Sequence, residues 1–234
     1  MWIGGIQWTT LLDYPGRVAA TVFTAGCNFR CPFCHNPELV LPDRVSKGRT
    51  LLGESFFSAL RDRRGFLDAV VLSGGEPTVQ PDLPEVCQRI KDLGYLVKLD
   101  TNGTMPDVLA GLLHDHLIDY VAMDLKAPLE DYSQLTGVPV RKETIRRSID
   151  LLQSEAPAHE FRTTVAPGLT AEDLIRLAEE VDGSPAYWLQ AFRVPVGKGL
   201  VDDSCLERGT LDRADLETLW GEIQGHFQSG GVRG

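Results

Sequence analysis

The hydrophobic and polar positions of this chain follow two alternating patterns. Short runs of apolar and β-branched residues are typical of buried strands, and they predict six strands, at residues 18–24, 69–72, 95–99, 118–123, 160–165 and 186–192. Apolar residues at helical spacing predict helices at residues 55–63, 83–93, 108–113, 142–152, 171–181 and 213–227. Thr170, with Asp173 three residues later, predicts the start of the fifth helix as a near capping box.

Strands that alternate with helices indicate βαβ units, and therefore an α/β fold with a parallel sheet. Six such units are too few for the eight of a complete barrel. The order of the elements leaves two architectures open, namely an open doubly wound sheet and a partial (βα)6 barrel.

Length and composition predict a single domain. The chain has 234 residues, of which 43% are hydrophobic and 24% are charged, and this is enough for one sizeable core. Within residues 1–234 we expect an N-terminal lead-in at 1–17, a C-terminal helix at 212–228 and a flexible tail at 229–234, where glycine is frequent.

Charge and cysteine usage narrow the possible partners. A formal net charge of −10 argues against a nucleic-acid groove. No secretory signal and no membrane-spanning apolar run are visible in the sequence, so we expect no membrane partner and a reducing, cytoplasmic location. Of the five cysteines, Cys87 and Cys205 have no cysteine neighbour, and their roles stay unassigned.

The other three cysteines, Cys27, Cys31 and Cys34, are separated by three and then two residues. In a reducing compartment this spacing indicates metal binding, because disulfide frameworks suit short secreted chains. Three thiolates can hold three irons of a four-iron cluster and leave the fourth iron open to another ligand. A zinc site completed by His35 is the alternative.

Polar segments follow the next three predicted strands at the point where each strand ends. These segments are Ser73-Gly74-Gly75-Glu76-Pro77, Asp100-Thr101-Asn102-Gly103 and Asp124-Leu125-Lys126. Gly-Gly and Asn-Gly are common turns, so each segment alone has a structural explanation. Together with the cysteine loop they place polar residues after four successive strands, at the edge where parallel α/β folds collect their active sites.

These motifs resemble those of the radical S-adenosylmethionine (SAM) superfamily, whose signature is this cysteine spacing with an aromatic residue, here Phe33, before the last cysteine. The resemblance implies a partial (βα)6 barrel, a [4Fe–4S] cluster on the three cysteines, and SAM at the open iron. It implies SAM contacts from Phe33, Cys34, His35, Gly74, Gly75, Glu76, Asp100, Asn102, Asp124 and Lys126. Related activating enzymes also imply a monovalent cation at Asp100, Thr101 and Asp124.

The residue types suit these implied roles. Gly74 and Gly75 lack side chains and let the backbone approach a ligand closely. Lys126 offers an ammonium group for the SAM carboxylate, and Asp100 and Asp124 offer hard oxygen ligands. No general acid or base is needed, so we expect no catalytic residue beyond the cluster and SAM.

The flanking residues resemble the glycyl-radical-enzyme activating group within that superfamily. Asp13-Tyr14-Pro15-Gly16 precedes the first strand, and Cys34-His35-Asn36-Pro37 closes the cysteine loop. The greatest similarity is to the activating proteins of anaerobic ribonucleoside-triphosphate reductase. Pyruvate formate-lyase activating enzyme carries a histidine after the sixth strand that meets SAM. This chain has Phe192-Arg193 there, and Arg193 is the expected replacement.

The implied reaction is reductive cleavage of SAM, followed by removal of a hydrogen atom from a glycine Cα of a partner enzyme. The expected partners are a glycyl-radical enzyme, with the large subunit of anaerobic ribonucleotide reductase first, and an electron donor of the flavodoxin or ferredoxin type. Three alternatives stay open: a pyruvate formate-lyase-type activase, a radical SAM enzyme acting on a small molecule, and a zinc-binding structural module. A chain of 234 residues has little beyond the barrel to enclose a small substrate, which favours a protein partner.

Overall fold

The computed structural model describes residues 1–194, 197 and 199–234. Its strands are β1 (Trp2–Thr10), β2 (Ala19–Thr24), β3 (Thr50–Leu51), β4 (Ala69–Gly74), β5 (Leu96–Thr101), β6 (Tyr120–Asp124), β7 (His159–Val165), β8 (Ala186–Ala191) and β9 (Ser229–Arg233). Its helices are α1 (Pro37–Val40), α2 (Pro42–Gly48), α3 (Glu54–Asp62), α4 (Leu83–Asp92), α5 (Pro106–His114), α6 (Tyr132–Thr136), α7 (Lys142–Glu155), α8 (Ala171–Glu180) and α9 (Arg213–Ile223).

The strands form one sheet in the order β3-β1-β2-β4-β5-β6-β7-β8-β9. The six predicted strands, β2 and β4 to β8, are all parallel, and helices connect them. The first and last strands of this order do not pair with each other, so the barrel stays open. This arrangement confirms the predicted α/β fold with a partial (βα)6 barrel.

The two faces of the sheet differ in polarity. Residues such as Leu72 and Leu99 point outward and pack against the helices in the main hydrophobic core. The inner face has small residues such as Ala19 and Ala69 near the amino ends of the strands. Charged residues, including Lys98, line it nearer the carboxyl ends. The polar chemistry of the chain is therefore concentrated inside the barrel, towards one end.

Four of the six predicted helices, α4, α7, α8 and α9, begin at the predicted residue. The Thr170 side chain accepts a hydrogen bond from the Asp173 amide, and the Asp173 carboxylate accepts one from the Thr170 amide, which completes the capping box of α8. Asp212 and Asp215 cap α9 in the same way. No helix in the described part of the chain combines the length and apolar character needed to cross a lipid bilayer.

Both ends of the chain contain strands that the sequence did not predict. Most of the lead-in at 1–17 is strand β1, which pairs antiparallel with β2 and extends the sheet. The expected flexible tail at 229–234 contains β9, which pairs in parallel with β8 from Ala186↔Ser229 to Gln190↔Arg233. Glycine is rare in strands, which is why the sequence did not predict β9.

The close approach of β9 to its neighbours requires Gly230. A Cβ atom at this position would overlap the carbonyl oxygen of Tyr187 and the ring of Trp220, and the backbone there has a φ of +151°. We expect Gly230→Ala to detach β9. For a domain of this size, the thermal unfolding midpoint should fall by about 2–4 °C for each kcal/mol of stability lost. Circular dichroism and limited proteolysis of the C-terminal segment measure this effect. Gly221→Ala is the matched control, because its added methyl meets no atom within 4 Å. Equal midpoints for the two variants would contradict the packing described.

Candidate active site

A cavity of about 420 Å³ opens at the carboxyl ends of the parallel strands. Every predicted site residue except Arg193 lines it. These lining residues are Cys27, Cys31, Phe33, Cys34, His35, Gly74, Gly75, Glu76, Asp100, Thr101, Asn102, Asp124 and Lys126. Four separate strand ends contribute to this set, so the fold brings together residues that are up to 99 positions apart. The cavity size lies within the range of about 300–1,000 Å³ typical of sites for small ligands.

The three cysteines of the loop after β2 are free thiols that face this cavity. Burial raises the pKa of Cys27 to about 12 and that of Cys31 to about 11, and it also raises the pKa of Cys34. The thiols are therefore protonated at neutral pH until a metal displaces the protons.

The donor set fits an iron–sulfur cluster. Soft thiolates are the ligands that such clusters use, and each thiolate binds a separate iron corner. In the described part of the chain, no three His, Cys, Asp or Glu side chains gather closely enough to share a single metal ion. Cys27, Cys31 and Cys34 instead line different parts of one cavity, where they could hold three corners of a [4Fe–4S] cluster.

Hydrogen bonds fix the shape of the cysteine loop. The Arg30 guanidinium donates to the carbonyl oxygens of Cys27 and Phe29, at 2.7 and 2.6 Å. The Asn28 side chain donates to the Thr104 hydroxyl at 2.7 Å and accepts from the side-chain amide of Asn102 at 2.9 Å. These contacts join the loop to the end of β5. Asn102, predicted to contact SAM, therefore also positions the cysteine loop.

Glu76 fixes the neighbouring loop from a buried position. Its carboxylate accepts hydrogen bonds from the amide and hydroxyl of Thr78, the hydroxyl of Thr101 and the amide of Asn102, at 2.5–3.1 Å. Burial raises its pKa, and these four donors oppose that shift. The side chain is only 1% exposed. Its oxygens are thus committed to holding the loops after β4 and β5 together.

A chain of ion pairs runs through the inside of the barrel. Arg162 on β7 contacts Asp124 at 2.9 Å and Asp100 at 3.4 Å, and Lys98 contacts Asp100 at 2.5 Å. Lys126 contacts the second carboxylate oxygen of Asp124 at 3.3 Å. Burial alone would raise the pKa of Asp124, but Arg162 and Lys126 outweigh it and lower the pKa to about 2. Both aspartates are therefore ionised and paired.

This pairing does not fit the expected monovalent cation. Asp100 and Asp124 already have Arg162 between them as a counter-charge, and the Thr101 hydroxyl donates to Glu76. A metal ion at this position would face the repulsion of the guanidinium. The residues present therefore do not suit a monovalent cation.

Tyr132 links the cysteine loop to Lys126. The Tyr132 hydroxyl accepts from the Lys126 amide at 3.1 Å and donates to the Asp124 carbonyl at 3.4 Å. Its ring makes an edge contact with Phe29, with 6.3 Å between the ring centroids. Burial lowers the pKa of Lys126, but Asp124 outweighs it and raises the pKa, so the ammonium stays charged where it faces the cavity.

Arg193 does not reach the cavity. It is exposed, and its backbone hydrogen-bonds to the ring of His35, which packs against Phe192 at 5.1 Å. The arginine that lines the cavity is Arg233 on β9. Sequence reasoning missed it because the preceding glycines indicated a tail.

Sequence reasoning also missed Arg162, Thr164 and Gln190, which lie on the inner face of β7 and β8. A signal for them existed in the sequence. Polar residues alternate with apolar ones along β7, which indicates a polar inner face.

Comparison with known proteins agrees with these observations. The family model described as the radical SAM superfamily matches residues 21–181. A Methanocaldococcus jannaschii protein named as a candidate glycyl-radical enzyme activating enzyme is 36% identical over 196 residues, which cover 81% of this chain and 79% of that protein. The pyruvate formate-lyase-activating enzyme of Streptococcus mutans is 31% identical over 180 residues, covering 73% and 68% of the two chains.

A solved structure shows the same fold. SuiB of Streptococcus suis, bound to S-adenosylmethionine, superposes with a TM-score of 0.67 over 89% of this chain at 16% identity. This chain spans about half the length of that neighbour, 48%. Fold, cysteine spacing and family match lead to the same assignment, and the chain belongs to the radical SAM superfamily.

Proposed function

We propose that this protein is a radical SAM activating enzyme that installs a glycyl radical on a partner enzyme, with the large subunit of anaerobic ribonucleotide reductase as the first candidate. The main support for the proposal is that one cavity is lined both by Cys27, Cys31 and Cys34 and by Gly74, Gly75 and Lys126. The similarity to proteins named for glycyl-radical enzyme activation supports the choice of substrate.

The chain supplies binding and orientation. Lys126, held by Asp124 and by the Tyr132 hydroxyl, provides the charge for the SAM carboxylate. Gly74 and Gly75 let the backbone approach the ligand. When bound together, the cluster and SAM supply one-electron cleavage of a SAM carbon–sulfur bond, which yields methionine and a 5′-deoxyadenosyl radical able to take a hydrogen atom from a glycine Cα.

The size of the cavity favours a protein substrate. A volume of about 420 Å³ is near the lower end of the range for small-ligand sites and leaves little room beyond SAM itself. A second small molecule would need space that the described residues do not enclose. A glycine on a partner's surface loop could instead reach the open end of the cavity, and the electron would come from a flavodoxin- or ferredoxin-type donor.

The test combines product analysis with electron paramagnetic resonance. The protein is reconstituted anaerobically with iron and sulfide, reduced, and mixed with SAM and either anaerobic ribonucleotide reductase or pyruvate formate-lyase. We expect 5′-deoxyadenosine and a carbon-centred radical on the partner, whose hyperfine splitting changes when the partner contains α-deuterated glycine. Formation of 5′-deoxyadenosine without a radical on either partner would contradict the proposal and favour a small-molecule substrate.

A further inference from the structure

Strand β9 places a second positively charged residue, Arg233, at the cavity in addition to Lys126. In the strand order, β9 lies on the other side of the cavity from β4, the strand that leads into Gly74 and Gly75. Arg233 pairs with Gln190 in the register between β9 and β8, and the residue lines the cavity. The function proposed above assigns no role to this residue. A charged side chain at the edge of a ligand site is a candidate for substrate recognition.

Two neighbours hold the Arg233 guanidinium in place. Its Nη2 lies 3.3 Å from the Glu160 carboxylate, and its central carbon lies 3.6 Å from the centre of the Trp188 ring. Glu160 is only 2% exposed and also faces Arg162 at 4.0 Å. Tyr120 hydrogen-bonds to the same carboxylate. The guanidinium is thus fixed by one edge and one face, which reduces the entropy lost when it binds a partner group.

Within the described part of the chain, the guanidinium has donors without a protein partner. An arginine carries five N–H groups, and the hydrogen bond to Glu160 uses one of them. The side chain is 36% exposed, which leaves part of it accessible to a ligand. Such a group binds carbonyl or carboxylate oxygens, with two parallel hydrogen bonds where the geometry allows.

SAM does not suit this position. SAM carries positive charges on its sulfonium and amino groups, and its single carboxylate is matched by Lys126 at the β6 end of the cavity. A second cation near the sulfonium would repel it. A neutral carbonyl oxygen on a second molecule meets no such repulsion and is therefore the better acceptor for Arg233.

We propose that Arg233 determines specificity for the protein substrate by binding a main-chain carbonyl oxygen of the segment that carries the target glycine. This inference rests on the function proposed above. Glycine has no side chain to recognise, so a site that selects a glycine segment must contact its backbone. A fixed guanidinium beside the flat Trp188 ring provides such a contact.

The test compares Arg233→Gln and Arg233→Lys with Arg213→Gln in the reconstituted protein. Arg213 donates to the Gly234 carbonyl at 2.8 Å and supports the same strand end without lining the cavity. The two measurements are the partner concentration that gives half-maximal glycyl-radical formation, and the Kd of SAM by calorimetry.

We expect Arg233→Gln to raise the half-maximal partner concentration roughly 10-fold or more, as loss of a charge-assisted hydrogen bond does. Arg233→Lys should recover part of the loss, and Arg213→Gln should match the wild type. The Kd of SAM should stay within about twofold of the wild type in all three variants, because the proposed contact is to the partner.

Three results would overturn the inference. A parallel loss of SAM affinity would place Arg233 on SAM, an equal loss in Arg213→Gln would make it a structural support of β9, and an unchanged partner concentration would remove its role. If the wild-type protein cleaves SAM but forms no radical on either partner, the proposed function itself fails, and the wild-type control alone reveals this.

Discussion

Replacement of any one of Cys27, Cys31 and Cys34 by alanine is expected to abolish cluster assembly and SAM cleavage. Each thiol lines the cavity from a different position, so two thiols leave a corner of the cluster without its protein ligand. The loss should exceed the roughly 10–100-fold that a metal site loses when a residue hydrogen-bonded to one of its ligands is removed. Iron content, the visible absorbance of the reconstituted protein and the yield of 5′-deoxyadenosine measure it.

Cys87 and Cys205 provide matched controls. Both are buried, with exposures of 0% and 4%, and neither lines the cavity. Burial raises the pKa of Cys87 to about 12, and it also raises the pKa of each cysteine of the loop, so the variants differ in position more than in thiol chemistry. We expect Cys87→Ala and Cys205→Ala to keep the cluster. A stable cluster in Cys31→Ala, or its loss in Cys205→Ala, would refute the assignment of ligands.

The sequence predicts the six parallel strands well because their signals are local. Runs such as Ala69-Val70-Val71-Leu72 are apolar throughout, and all four of these residues are fully buried. The polar segments that end these strands then meet at one edge as a consequence of parallel pairing, without any further information about contacts. The common cavity of the cysteine loop, Gly75 and Lys126 follows from that topology.

The parts of the fold that the sequence did not predict depend on pairing between distant segments. Strand β9 contains Gly230 and Gly231, and it exists because β8 offers an unpaired edge for it. Arg233 enters the cavity only through this pairing. In the same way, Arg162 neutralises Asp100 and Asp124 because β5, β6 and β7 are neighbours in the sheet. The sequence prediction of a cation site considered the two aspartates without Arg162.

Gly75→Ala is expected to disrupt the site without removing any functional side chain. A Cβ atom at Gly75 would overlap the carbonyl oxygen of Gly26, lie 2.7 Å from its carbon, and come within 3.2 Å of the Leu39 carbonyl oxygen. All three are backbone atoms, so no side chain can rotate away. The methyl group would therefore push the loop after β4 away from the residue that precedes Cys27.

Two backbone hydrogen bonds would be strained by that movement. The Gly75 amide donates to the Thr24 carbonyl at 2.9 Å, and the Glu76 amide donates to the Gly26 carbonyl at 2.8 Å. We expect Gly75→Ala to lose about 1–3 kcal/mol of stability, as overpacked sites do. It should also weaken SAM binding at least about 10-fold, because a shift of this size exceeds the tolerance of a preorganised site. Calorimetry on the reconstituted protein and thermal unfolding give the two values.

The matched control is Gly111→Ala in α5, where the added methyl meets no atom within 4 Å. That change should stabilise the helix by about 0.5–1 kcal/mol and leave SAM binding unaltered. Both variants add one methyl group to a glycine, so any difference between them reports the space around Gly75. SAM affinity in Gly75→Ala equal to that of the wild type would show that the loop can bind its ligand at a greater distance from Gly26. SAM affinity would then depend on side chains such as Lys126, and the backbone spacing at Gly75 would not determine the site.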